Sequence, residues 1–362
     1  MANSSNEFEV PGEFWHRLDN GKLQCDLCPR YCHLAEGQRG LCFVRERKQD
    51  RMVLSSYGRS SGFCVDPIEK KPLNHFYPGS PVLSFGTAGS NLACKFCQNW
   101  DISKSRQMDA LASRAGPEAL ARAALDAGCE HIAFTYNDPV IFYEYARDTA
   151  IACREQGINT VAVTAGYLAE PARVPFFDFI DAANIDLKAF SEEFYYRLCG
   201  GHLQEVLDTI RYVHDETDVW LELTTLLIPG HNDGEAELCE LVEWVLANLG
   251  DSVPLHFSAF HPDWKMRDIP PTPPATLHRA RRLALQLGLK YVYTGNIDDR
   301  EGGTTYCRQC QAPLIARDWY AVSAWHLDDA GCCTTCGTSQ AGRFHERPGS
   351  WGNQRQRLHL AQ

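Results

Sequence analysis

Three things are missing from this chain of 362 residues, and each absence excludes a class of function. No run of apolar residues approaches the eighteen or so that a membrane-spanning helix requires. The first ten residues, MANSSNEFEV, have neither the basic stretch nor the apolar stretch of a secretory leader, so export is not expected. Basic residues are also scarce. Against 46 Asp and Glu stand 35 Lys and Arg, a net charge of −11. Broad nucleic-acid binding rests on Lys and Arg, so this balance argues against it. A small acidic cofactor in a locally basic pocket is still compatible with it.

Cysteine is abundant instead. Sixteen cysteines in a chain without an export signal point to metals before disulfides. Cys25, Cys28, Cys32 and Cys42 form C-x2-C-x3-C-x9-C, Cys94 and Cys97 form C-x2-C, and Cys307, Cys310, Cys333 and Cys336 form C-x2-C-x22-C-x2-C. The other six (Cys64, Cys129, Cys153, Cys199, Cys239 and Cys332) are scattered, and several sit in apolar patterns where cysteine serves as a small core residue.

Apolar residues make up 44% of the chain, enough for a substantial core. Residues 1–80 show little periodicity but many Cys, Gly and Pro, which suits a small metal-stapled lobe. From 81 to 303, apolar strands alternate with amphipathic helices. The expected strands are PVLSFGTAG (81–89), HIAFTYNDP (131–139), NTVAVTAGY (159–167), AANIDLKAF (182–190), VWLELTTLLIPG (219–230), PLHFSAFHP (254–262) and LKYVYTGN (289–296). PEALARAALDAG is an expected helix with Pro117 near its start, and EAELCELVEWVLANLG is another, stopped by Gly250. Alternation of this kind predicts a parallel sheet with crossover helices. Six or seven units suit a partial barrel of the (β/α)6 type better than a closed eight-fold one. Residues 304–342 form a separate four-cysteine segment, and the polar residues 343–362 have the composition of a mobile tail.

Ligands of such sheets sit at the carboxyl ends of the strands. Thr135, Asn137, Asp138, Thr164, Asp186, Lys188 and His261 all fall there. Any one of them has an ordinary explanation, since strands end in turn residues and Asp186–Lys188 could be a surface ion pair. Their gathering on one predicted rim favours a shared pocket.

The C-terminal quartet has the paired-knuckle spacing of a zinc ribbon, a closed four-thiolate site with no position left for substrate. The N-terminal quartet suits zinc or an auxiliary [4Fe–4S] cluster, and its spacing does not separate the two. The central CKFC lies on the loop after the first barrel strand, inside GTAGSNLACKFCQNW. By itself a C-x2-C pair is a weak signal.

Its surroundings make the signal specific. A glycine-bearing strand exit, two cysteines and Phe96 before the second of them resemble the C-x3-C-x2-C signature of the radical S-adenosylmethionine (SAM) superfamily. DPIEKKPLNHFYPGS, FTYNDP, VTAGY, IDLKAF, LTTLLIPGHND, FSAFHPDWKM, VYTGN and the terminal cysteines extend the likeness over about residues 22 to 342. Together they resemble the AmmeMemoRadiSam-system radical SAM enzymes, relatives of the pyruvate formate-lyase activating enzymes. The resemblance implies a partial radical SAM barrel and a cytoplasmic setting. It also implies a [4Fe–4S] cluster, SAM, a reducing electron donor and AMMECR-type and Memo-type partner proteins. Carried over by motif, Cys94 and Cys97 are cluster ligands. Tyr136, Asn137 and Asp138 face SAM, with Asp138 in place of the family's longer Glu. Thr164, Asp186, Lys188 and His261 contact SAM's polar and adenosyl parts, and Ala165 replaces an asparagine.

Ser90 stands where that signature has its first cysteine. A hydroxyl is harder and far less acidic than a thiol, whereas iron–sulfur clusters select thiolates. Ser90 binding iron weakly, another cysteine (Cys64 being one candidate) substituting for it, and a missing cluster are the three accounts the residues allow. The function expected is reductive SAM cleavage acting on an unknown substrate, either a protein side chain or a small molecule. The alternatives are a glycyl-radical-enzyme activase and a non-catalytic metal-binding scaffold. A tRNA-modifying enzyme is disfavoured by the acidic balance.

Overall fold

The computed structural model describes residues 9–104, 111 and 113–360. Residues 1–8 and the last two of the expected tail lie outside this set. Its centre is a nine-stranded sheet. In chain order the strands are β1 (Phe63–Pro67), β2 (Pro81–Phe85), β3 (His131–Phe134), β4 (Asn159–Thr164), β5 (Ala182–Asp186), β6 (Trp220–Leu227), β7 (Leu255–Ala259), β8 (Val292–Gly295) and β9 (Gln356–Leu358). They lie side by side in the order β8-β7-β6-β5-β4-β3-β2-β1-β9. β2 to β8 are parallel throughout, and β1 and β9 extend the sheet antiparallel beyond β2.

All seven strands expected from 81 onward are present. Six main helices connect them: α1 (Pro117–Asp126), α2 (Tyr143–Arg154), α3 (Glu170–Phe177), α4 (Leu203–Glu216), α5 (Glu235–Leu249) and α6 (Pro274–Leu287). The result is (β/α)6 plus a seventh parallel strand, a partial and open barrel. Pro117 occupies the first turn of α1, and Gly250 ends α5 at φ +77°. Helix α4 shows why the helices dock. It buries Val206, Leu207, Ile210 and Val213, one stripe at a spacing of three and four residues.

Two expected boundaries differ. Residues 63–67 fall in the Cys-rich lobe by composition, yet they pair with β2 as β1. The segment expected as a mobile tail makes backbone contacts with the rest of the chain. Tyr77 N donates to Arg343 O at 2.7 Å, Gly349 N to Pro78 O at 2.9 Å, and residues 356–358 pair with β1. Polar composition conceals this because the contacts are made by backbone groups, which any residue carries.

The segment between β1 and β2 closes the barrel from below. Ile68, Leu73 and Phe76 pack on Val82, Ala133, Val161 and Ala182, one inward residue from each of β2 to β5. Polar groups anchor the same plug on the other side. Glu222 of β6 accepts from the backbone N–H groups of Asn74 (3.0 Å) and His75 (2.8 Å) and pairs with His256 of β7 at 2.6 Å. Arg317, 2% exposed, donates to Asn74 O at 2.7 Å and so ties the C-terminal segment to the plug.

Residues 9–54 form the lobe, with two small antiparallel three-stranded sheets. Among the described residues, no helix is long and apolar enough to cross a membrane.

Candidate active site

Above the plug, at the carboxyl ends of the strands, lies a cavity of about 420 Å³. That is within the range of small-molecule and cofactor pockets. Ser90, Cys94 and Cys97 form one wall, Asp138 and Thr164 a second, and Asp186 and Lys188 a third. Tyr136 and Asn137 line it too. Of the sequence-derived set, only His261 is left out. It is exposed, at the start of the loop beyond β7. That loop meets the cysteine loop: Trp264 stacks on Trp100 with ring centres 5.1 Å apart, and Lys265 N donates to Lys95 O at 3.1 Å.

The cysteine loop is positioned by glycine and by Asn137. Gly86 leaves β2 so close to β3 that a Cβ would stand 2.2 Å from Thr135 O. Asn137 Oδ1 accepts from Thr87 N at 3.0 Å, and its Nδ2 donates to Gly89 O at 3.1 Å. Asn137 is therefore a brace for the loop. Cys97 Sγ lies 2.9 Å from Ser103 Oγ, and the Ser90 hydroxyl accepts from Leu92 N at 3.2 Å.

The rim carboxylate is committed to the protein itself. Asp138 accepts from Val140 N (3.1 Å), Thr164 Oγ1 (3.1 Å) and Ala165 N (2.9 Å). Burial raises its pKa, against these donors. Lys188 Nζ and Asp186 Oδ2 pair at 2.7 Å. Burial opposes the charge on Lys188, but Asp186 together with Cys94 and Cys199 outweighs it and holds the ammonium well above its ordinary pKa.

Several cavity residues escaped the sequence reading. Lys70 and Lys71 form a cationic floor, both paired with the buried Asp66, at 3.1 and 2.8 Å. Burial brings the Lys71 ammonium down to about 8, against the pull of Asp66. Thr224 of β6 lines the cavity, and its buried hydroxyl has no partner. Tyr320, between two strands of the C-terminal segment, also lines it. The KK pair and the inward position of Thr224 were visible signals; the reach of Tyr320 was not.

Cys199, one of the scattered cysteines, is a buried core residue that also meets the cysteine loop. Ala93 N donates to Cys199 O at 2.8 Å and Lys95 N to Leu198 O at 2.9 Å, which brings Cys199 against Cys94. A hydrogen bond from Cys199 lowers the Cys94 thiol, helped by Lys188, while burial and this same bond raise Cys199. Cys64, by contrast, sits on β1 outside the cavity wall.

As donors, the loop offers two thiols and one hydroxyl around one cavity. This set fits an iron–sulfur cluster at two corners with sulfur and at a third with a weaker oxygen. At the other end of the chain, Cys307, Cys310, Cys333 and Cys336 bring four sulfurs within 4.8 Å of one another.

Comparison with known proteins agrees with this geometry. Residues 85–242 match the Radical SAM superfamily. A protein of Methanocaldococcus jannaschii, MJ0808, is 40% identical over 327 residues, covering 90% of this chain and 96% of its own. Pyruvate formate-lyase 1-activating enzyme of Escherichia coli is 20% identical over 233 residues, 60% of this chain and 93% of its own. Among solved structures, a radical SAM methyltransferase from Sphaerobacter thermophilus aligns over 79% of this chain and 76% of its own, at 15% identity and a TM-score of 0.48. The chain shares a family with the Methanocaldococcus protein over nearly its whole length, is homologous to the pyruvate formate-lyase activating enzymes, and carries over residues 85–242 a radical SAM domain, a family that implies a [4Fe–4S] cluster and SAM.

Proposed function

We propose that this protein is a radical SAM enzyme of the AmmeMemoRadiSam type whose cluster is held by Cys94 and Cys97 with Ser90 at the third corner. The observation carrying this reading is that one cavity collects Ser90, Cys94 and Cys97 together with Asp138, Thr164, Asp186 and Lys188. When bound, the cluster and SAM supply reductive cleavage to methionine and a 5′-deoxyadenosyl radical, which removes a hydrogen atom from the substrate. The chain's own residues orient and enclose. The Asp186–Lys188 pair presents both signs of charge to the amino and carboxylate groups of SAM. Thr224 Oγ1 offers an unused hydroxyl, and the Trp100–Trp264 stack closes the cysteine loop. Lys70 and Lys71 on the floor favour a substrate with acidic groups, either a protein side chain or a small molecule. AMMECR-type and Memo-type proteins are the proposed partners, and an external one-electron donor is required.

The C-terminal quartet is proposed to bind zinc. Its Sγ–Sγ separations of 3.6 Å (Cys307–Cys336) and 3.7 Å (Cys310–Cys333) match the ~3.8 Å edge of a tetrahedron with ~2.3 Å bonds. Ser90 favours a second reading, a scaffold that does not cleave SAM; a glycyl-radical activase is a variant of the first.

The test compares the protein with its Ser90→Cys variant after anaerobic reconstitution, assaying 5′-deoxyadenosine release from SAM with dithionite. Release by both, or by the cysteine variant alone, supports the fold's radical chemistry and measures what serine costs. No release from either supports the scaffold.

A further inference from the structure

The N-terminal quartet plays no part in the site above. Cys25, Cys28, Cys32 and Cys42 line one small cavity. Their sulfurs do not converge on a point. All four residues are described, yet no three of their sulfurs lie within 4.8 Å of one another, as all four of the C-terminal quartet do. A single tetrahedral ion would draw every pair to ~3.8 Å. A cubane, which takes one thiolate at each iron, holds the four sulfurs at its outer corners and so farther apart.

Gly40 lies beside two of the sulfurs: a Cβ there would meet Cys42 Sγ at 3.6 Å and Cys32 Sγ at 3.7 Å, an ordinary contact. The lining also contains unused cationic donors. Arg45 is 1% exposed and pairs with Glu144 through Nη1 at 2.8 Å, but its Nε has no partner. Arg30 Nε donates to Asn91 O at 2.8 Å, while its buried Nη2 has none. Each unpaired buried donor costs on the order of 1–3 kcal/mol. An anionic group with acceptor atoms between the thiolates removes that cost, and the inorganic sulfides of a cluster are such acceptors.

We propose that Cys25, Cys28, Cys32 and Cys42 ligate a [4Fe–4S] cluster, not a zinc ion, with Arg30 and Arg45 donating to its sulfides. Four thiolates saturate the four irons, so this cluster has no open position for SAM. It lies directly behind the barrel loop. Asn91 lines the N-terminal cavity, whereas Ser90 and Leu92 on either side of it line the barrel cavity. Gly89, at φ +89°, lies so close to Cys42 that a Cβ would fall 1.8 Å from its carbonyl oxygen. One thickness of backbone separates the two sites, a placement suited to passing an electron between them.

The proposal does not depend on the reading of the barrel, and its test isolates it. The full chain carrying Cys94→Ala and Cys97→Ala, which removes the barrel thiols, is reconstituted anaerobically with iron and sulfide. It is expected to retain about four iron and four sulfide per chain. Dithionite should then produce the electron paramagnetic resonance signal of a reduced [4Fe–4S] cluster. Two zinc ions per chain without iron would overturn the proposal, and so would a correctly folded chain with neither metal at the N-terminal quartet. Folding is checked by circular dichroism on the same sample, so loss of iron through misfolding is distinguished from an empty site.

Discussion

The two cysteine quartets differ little on paper and greatly in space. Each has a C-x2-C start and lies in a small lobe of short antiparallel strands. In the C-terminal quartet the four sulfurs have collapsed towards one centre. Backbone N–H groups of Gln309 and Thr335 point at Cys307 and Cys333 Sγ, at 3.5 and 3.4 Å, as in metal knuckles. In the N-terminal quartet the sulfurs surround a space, with two arginines beside it. Spacing along the chain says that a metal binds. The spacing of the sulfurs, and the charge left unpaired around them, distinguish a single ion from a cluster.

The largest expected effect comes from breaking the barrel site while leaving both quartets intact. Cys94→Ala or Cys97→Ala should abolish 5′-deoxyadenosine release and lower iron by about four per chain, with zinc unchanged. Iron and zinc analysis beside the activity assay checks this. Equal loss of both metals would mean that the three sites are not independent.

Next in size is removal of the C-terminal metal. Cys307→Ser with Cys336→Ser should release about one zinc per chain and lower the melting temperature, because structural zinc contributes folding free energy outright. The effect should spread beyond the segment, since Arg317 joins it to the barrel plug. Reconstituted iron should survive at low temperature.

The plug itself supplies the third effect. Glu222→Ala strands His256 and two buried backbone donors and is expected to cost about 3–5 kcal/mol, measurable by urea unfolding. It also predicts a pH dependence. Although burial raises the Glu222 carboxyl, His256, His75 and Trp220 together outweigh it and lower its pKa from the usual 4.5. The folded pKa is depressed, so this stabilisation is present above the unfolded value and is lost as pH falls through the folded one. The wild type should thus lose part of its stability in acid that Glu222→Gln does not lose.

A smaller effect is expected at the rim. Lys188→Ala removes the proposed charged partner of SAM, worth about 1.5–3 kcal/mol, and should weaken SAM binding by about 10- to 150-fold in equilibrium dialysis. Zinc content and melting temperature should stay within error of the wild type.

The barrel was largely legible in the sequence because its signals are local. Each of the seven parallel strands is a short apolar run closed by turn residues, and each helix carries its own stripe and stops. Strand ends then placed Asp186, Lys188 and Thr164 on one rim. What escaped notice depends on contacts between distant residues. β1 and β9 pair residues almost 300 positions apart, for example Val65 with Gln356. The plug carries its apolar residues singly among Lys, Pro and Asn, so no period reveals it. Cys199 meets Cys94 only because the chain after β5 folds back over the cysteine loop. His261 shows the converse. A motif singled out its loop, but there it is Trp264 that meets the cysteine loop, through Trp100.

The most direct test of the barrel assignment is spectroscopic. The reconstituted protein is reduced with dithionite, and its electron paramagnetic resonance spectrum is recorded with and without SAM, beside Ser90→Cys and the double variant of Cys94 and Cys97. SAM should alter the spectrum of the wild type and of Ser90→Cys, and leave that of the double variant, which retains only the N-terminal cluster, unchanged. Spectra that SAM leaves unchanged in every one of these proteins would contradict a SAM-binding cluster in the barrel.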